Sequence, residues 1–194
     1  MQTFFLAPTR QNVGLTSVTL GLVLALQRQG LRVGFVKPVP QDDMHIERSA
    51  HFARSLCKTE SPNPLAYEQV IARISANQND ELLEDVVSLC MTAAQDKDVL
   101  VVEGLHTAPG QNFSSRLNAD IARTLQAEMI LVANATEAGA AAEASLMATQ
   151  LKADGRNVAG VIFNKAQDNF DVAAAQKDFR LLAYPEIGRA SCRE

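Results

Sequence analysis

A chain of 194 residues is long enough for one sizeable domain with a substantial core, and too short for two of ordinary size. Apolar residues make up 47% and charged residues 21%, the balance of an ordinary soluble globular protein. A net charge of −4 argues against a nucleic-acid partner and against an anionic membrane surface, and no apolar run approaches the roughly 18 residues that a bilayer span requires.

The start, "MQTFFLAPT", has no basic leader ahead of an apolar stretch, so no secretion signal is expected. "TFFLA" (3–7) predicts the first strand. "PTRQNVGLTS" follows it, and an apolar helix over residues 16–29 comes next, with Val18, Leu22 and Leu26 in register and Gly30 as its stop. Gly21 within that helix costs about 1 kcal/mol against alanine, which suggests that another backbone packs closely there. "RVGFV" (32–36), "VLVVEG" (99–104), "MILVA" (129–133) and "VAGVIF" (158–163) predict four further strands. None alternates apolar with polar, the pattern of parallel strands covered on both faces. Helix-length segments separate them: 82–95, 118–127 with Leu117, Ile121 and Leu125 on one face, and alanine-rich 137–152. Residues 39–79 read as an irregular excursion at one sheet edge with two short helices, "IERSAHFARSLC" and "NPLAYEQVIARIS". The prediction is an α/β fold, a three-layer open parallel sheet flanked by helices.

A strand, a glycine-containing turn and a buried helix form the frame of a phosphate-binding loop. In an intact loop, glycines turn backbone N–H groups inward, a lysine reaches the β- and γ-phosphates, and the next hydroxyl holds Mg2+. Here the first glycine is replaced by Pro8 and the lysine by Leu15, while Gly14, Thr16 and Ser17 remain at the helix start. Backbone amides and the positive helix end still favour an anion around Thr9, Arg10, Asn12, Val13, Gly14, Thr16 and Ser17. Pro8 offers no N–H to that nest. Losing the lysine removes charge-assisted hydrogen bonds worth about 1.5–3 kcal/mol each and the charge that stabilises phosphoryl transfer. The loop is expected to be vestigial and without ATPase or kinase chemistry.

Other positions at strand ends face the same region. Glu103 closes "VLVVE", where an acid can hold Mg2+ through water or stand as a solvated carboxylate. Lys37 closes "RVGFVK" and faces either a ligand anion or solvent. Asn164 and Lys165 in "VIFNKAQD" resemble a base-reading pair, although Gln167 stands where an aspartate is wanted. Asp42 and Asp43 read as a polar loop or a weak metal contribution. His45, His51 and His106 show neither metal nor triad spacing. Cys57 and Cys90 fall in apolar helix contexts and read as core. With Cys192 they make three cysteines without metal or disulfide spacing, which predicts a reducing, cytoplasmic setting. No catalytic group and no metal centre can be assigned.

Taken in order, "LAPTRQNVGLTSVTLGL", "VGFVKPVPQ", "DVLVVEGL", "SSRLNADIARTLQAEMILV" and "VAGVIFNK" resemble the N-terminal domain of the long bacterial phosphate acetyltransferases over residues 2 to about 165. Leucine in the lysine position is itself typical of that domain, and its functional relative in fold is dethiobiotin synthetase, an ATP-dependent P-loop enzyme. The resemblance implies a parent reaction between acetyl-CoA and phosphate that gives acetyl phosphate and CoA, catalysed in a separate C-terminal domain. It implies a regulatory or oligomer-forming role for this domain, with that catalytic domain as partner, a homo-oligomeric parent and a small-molecule effector. It implies no cofactor for the domain itself. Two other readings stand beside it, an ATP-dependent ligase of the dethiobiotin synthetase type and a stand-alone small-ligand-binding α/β protein. The domain is expected over residues 1–186, incomplete at its C-terminal end. The closing "IGRASCRE" (187–194) resembles the translation of a sequencing adapter and is expected to be non-native.

Overall fold

Short strands that are apolar on both faces need cover on both sides, and the chain supplies it with helices. The computed structural model describes residues 1–43, 47–107, 113–168, 170–175 and 188–189. Strands β1 (Gln2–Pro8), β2 (Val33–Val36), β3 (Val99–Glu103), β4 (Glu128–Asn134), β5 (Val158–Asn164) and the short β6 (Gly188–Arg189) form one sheet in the order β2-β3-β1-β4-β5-β6. Every neighbouring pair is parallel. Between the strands run α1 (Leu15–Arg28), α2 (Arg48–Leu56), α3 (Tyr67–Ser75), α4 (Asn79–Ala94), α5 (Ser114–Thr124) and α6 (Ala140–Ala153). Among the described residues, no helix is long and apolar enough to cross a membrane.

The period-two geometry of a strand sends successive side chains to opposite faces. Phe5, Ala7, Leu100, Val102 and Leu131 join an apolar cluster with residues of α3, α4, α5 and α6. Leu6, Val33, Phe35, Val99, Val101 and Val132 join a second one with residues of α1 and α2. The sheet is thus the middle of three layers. Cys57 and Cys90 are buried in these clusters, as expected. Burial pushes the Cys90 thiol up to about 12, so it stays neutral. Leu117 and Ile121 are buried along α5, and Leu125 packs half-buried beside them.

Two expectations about α1 are corrected. Its buried stripe is Leu15, Thr19, Leu20 and Val23, whereas Val18, Leu22 and Leu26 are only half-buried. Gly21 is exposed, and a Cβ built there would touch nothing within 4 Å, so no backbone approaches it. Close approach occurs instead at Gly34 of β2, where a Cβ would run into the carbonyl oxygen of Ala93 in α4. The segment 187–194 lies outside the described residues except for Gly188–Arg189, which pair with β5. His45 and Cys192 also lie outside them.

The chain moves from β1 to the outer strand β2, returns through β3, and then crosses to β4 on the far side of β1. This reversal places the crevice of the sheet beyond the carboxyl ends of β1, β3 and β4, where ligands of open α/β folds bind.

Candidate functional site

The turn after β1 delivers the chain into α1 at that crevice. Pro8 closes β1 and pairs with Val132 of β4, so it belongs to the sheet rather than to the turn. Asn12 (φ 59°) and Gly14 (φ 80°) then adopt left-handed backbone, and Gly14 is the N-cap of α1. No side chain caps this helix end and its first turn carries no acid, so its N–H groups keep their positive character. A Cβ at Gly14 would collide with the Asn164 side chain, which explains why glycine stands there.

The turn is held by groups from distant parts of the chain. Asn164 Nδ2 donates to the Val13 carbonyl at 2.8 Å, and Lys165 Nζ donates to the Asn12 carbonyl at 2.7 Å. The pair that resembled a base reader therefore clamps the loop. Gln11 Nε2 donates to the Thr107 carbonyl at 2.6 Å. Arg10 turns away to α6 and its approach, pairing with Glu143 at 2.7 Å and Glu137 at 3.2 Å. Thr9 holds the sheet through its N–H to the Val132 carbonyl. Val13 is buried, Thr16 half-buried and Ser17 exposed. Leu15, in the lysine position, is 8% exposed and packs in the same apolar cluster as Leu6, Val13 and Val23.

Lys37 and Glu103 pair with each other. Both are buried, at 5% and 1% exposed, so the solvated readings of each are corrected. Lys37 Nζ lies 3.0 Å from Glu103 Oε1 and 3.8 Å from Glu47 Oε1. The same Glu103 oxygen accepts from Ser49 Oγ at 2.7 Å and Thr16 Oγ1 at 3.1 Å, and these two hydroxyls lie 3.0 Å apart. Glu103 Oε2 is buried without a hydrogen-bond partner among the described residues. Burial pushes the Lys37 ammonium down, but the carboxylates of Glu103, Glu47 and Asp42 outweigh it, so its pKa stands above its ordinary value. Lys37 is held charged.

Sequence reasoning missed Glu47 and Ser49. Glu47 caps α2 by accepting from the Ser49 N–H, and this cap swings both side chains over the ends of β2 and β3. The signal was an acid two residues ahead of a serine at a helix start, obscured by the irregular segment around it. Among the described residues, no cluster of three His, Cys, Asp or Glu side chains could hold a metal ion, and Asp42 and Asp43 belong to none.

A parallel sheet of this order, a glycine-capped helix after β1 and an acid at the end of β3 define a protein of the P-loop nucleotide-binding class in fold, with the loop lysine gone. The chain belongs to the family described as an AAA domain, whose profile matches residues 2–188. It is similar to the N-terminal region of phosphate acetyltransferases: 41% identical to that of Pseudomonas aeruginosa over 184 residues, 91% of this chain and 26% of the relative. The enzyme of Deinococcus radiodurans is 37% identical over 93% of this chain and 26% of its own length. The enzyme of Escherichia coli is 33% identical over 82% of this chain and 24% of its own. The chain thus spans about a quarter of the length of these relatives. In fold it matches the cell division protein FtsY of Thermotoga maritima, with a TM-score of 0.66 at 16% identity over 97% of this chain and 62% of that one. The signal recognition particle 54 kDa protein of Aeropyrum pernix, solved with GDP, gives 0.61 at 14% identity over 97% and 41%.

Proposed function

We propose that the chain is the N-terminal regulatory and assembly module of a phosphate acetyltransferase. The parent enzyme converts acetyl-CoA and phosphate into acetyl phosphate and CoA, and the catalytic centre belongs to the C-terminal part of the relatives that this chain does not span. The module works in the cytoplasm, takes no cofactor, and serves its partner, the C-terminal catalytic domain of the parent chain, in a homo-oligomer that answers to a small-molecule effector. The observation that carries the reading is the state of the phosphate loop. Its lysine is replaced by the core residue Leu15, and Lys37 at the end of β2 is spent on Glu103. A transferring γ-phosphoryl group needs a positioned cation to stabilise its charge, and the position of the loop lysine holds an apolar side chain, with Arg10 turned to Glu143 and Glu137. The same observation speaks against an ATP-dependent ligase of the dethiobiotin synthetase type. The vestigial loop, with Lys37, Glu103 and Asn164 at its rim, is the place to look for an effector.

The test is direct. The chain alone should release no CoA from acetyl-CoA in the presence of phosphate, while a parent enzyme lacking this region should keep that activity and lose its response to metabolites. Turnover by the chain alone would overturn the assignment. Calorimetric titration with Mg·ATP should give no tight binding, and a dissociation constant in the micromolar range would overturn the argument from Leu15.

A further inference from the structure

The fold class implies a divalent cation. In P-loop enzymes the hydroxyl after the loop lysine and an acid on a neighbouring strand hold Mg2+ together. In this chain those groups are Thr16 and Glu103, and their surroundings do not fit a metal. Glu103 Oε1 already accepts from an ammonium at 3.0 Å and from two hydroxyls at 2.7 and 3.1 Å. Mg2+ requires oxygen ligands at about 2.1 Å in near-octahedral order. An ion that close to Oε1 would press on the Lys37 ammonium, a like charge in a buried setting where repulsion is weakly screened.

We infer that the Lys37 ammonium is a built-in cation that takes the place of the divalent ion, so that the crevice at the start of α1 receives its ligands free of metal. Two observations converge. The Lys37 Nζ and the Thr16 hydroxyl both donate to the same carboxylate oxygen, so the ammonium holds the acid that a divalent ion would need. A second acid, Glu47, lies 3.8 Å from Nζ and is 13% exposed, so the ammonium is charge-balanced from two sides as a small ion would be. With Lys37 removed, both oxygens of Glu103, the Glu47 carboxylate and the Thr16 hydroxyl would be left as an oxygen-rich set of the kind hard cations prefer. The inference stands whichever enzyme the domain serves.

Mn2+ alone is the probe, followed on the complete chain by electron paramagnetic resonance and by paramagnetic broadening of the Thr16 and Glu103 amide signals. The unsubstituted chain should show no broadening centred on these residues at millimolar Mn2+. Lys37→Ala should acquire one ion there, bound at least about tenfold more tightly than by the unsubstituted chain, because the like charge is gone. Combining Lys37→Ala with Glu103→Gln should abolish that gain. Lys37→Met keeps the volume of the side chain and replaces Lys37→Ala in the same titration if alanine prevents folding. Broadening of Thr16 and Glu103 in the unsubstituted chain would overturn the inference without any variant. So would a folded Lys37→Ala or Lys37→Met chain that gains no ion.

Discussion

Substituting Glu103 by alanine strands the Lys37 ammonium in a site where Glu47, 3.8 Å away, and the more distant Asp42 are left to face it. Breaking a buried ion pair by removing one partner costs about 3–5 kcal/mol, because the remaining charge has lost both water and counter-charge. The residual pairing with Glu47 places this case at the lower end, about 3 kcal/mol. For a chain of this size each kcal/mol moves the midpoint by about 2–4 °C, so Tm should fall by about 6–12 °C. Urea unfolding followed by circular dichroism reads the loss as a lower midpoint at unchanged slope. The double substitution Lys37→Met with Glu103→Leu separates charge from packing. It removes both ions and leaves the Thr16 and Ser49 hydroxyls 3.0 Å apart and able to bond each other, so it should recover at least half of the loss. The pH dependence has a defined sign. Lys37 stands above its ordinary 10.5 in the folded chain, so its contribution is fully present below that value and is lost as pH rises through the higher folded one. A loss below about 1 kcal/mol for Glu103→Ala, or a double variant no better than the single one, would refute the reasoning.

Gly21→Ala should stabilise the chain by about 0.5–1 kcal/mol in urea unfolding, since the site is helical, exposed and free of neighbours. Gly14→Ala should do the reverse and cost at least about 1–2 kcal/mol, the penalty of a left-handed conformation for a side-chain-bearing residue. Adding Asn164→Ala should return only the steric part of that loss. Asp98 sits at about 2, below its ordinary 3.8, chiefly because Arg32 donates hydrogen bonds to it. Its stabilising effect is therefore present above 3.8 and disappears as pH falls through about 2. The gap in stability between the unsubstituted chain and Asp98→Asn, followed by circular dichroism, should close over that window.

The sheet was legible because burial on both faces removes polar residues from a strand, which left "TFFLA", "RVGFV", "VLVVEG", "MILVA" and "VAGVIF" as unbroken runs. The same property hid the rotation of α1. A helix that is apolar nearly all round carries no phase, so Val18, Leu22 and Leu26 looked as good a stripe as Leu15, Thr19 and Val23. Which stripe faces the sheet is set by how Gly14 turns the chain into the helix. At the site, the loop and the strand-end positions of Lys37 and Glu103 were readable, but their union was not. Lysine and glutamate are buried only when paired, and the groups that complete this cluster, Glu47 and Ser49, come from a segment without periodicity. The clamp from Asn164 onto Val13 joins residues 151 positions apart, a contact that only the sheet order creates.

Arg10 and Lys37, two of the cations around the loop, differ in what an incoming anion would have to displace. Arg10 is 39% exposed and its partners Glu137 and Glu143 are 45% and 33% exposed, so water screens these pairs and they hold weakly. An anion can exchange with them at little cost. Lys37 is bound to a carboxylate with no exposed side-chain surface, and releasing it would strand Glu103 at several times that cost. An anion held at the start of α1 would therefore draw on Arg10, the exposed Lys165 and the first-turn amides rather than on Lys37, which makes its binding modest and sensitive to salt. Restoring lysine at position 15 would not by itself return the old chemistry. Leu15 fills the apolar cluster with Leu6, Val13 and Val23, and its removal forfeits about 1.5–3 kcal/mol of burial. The new ammonium would then enter a crevice where Lys37 already takes the charge of Glu103. The loop thus stands between an apolar residue on one side and an internal ion pair on the other.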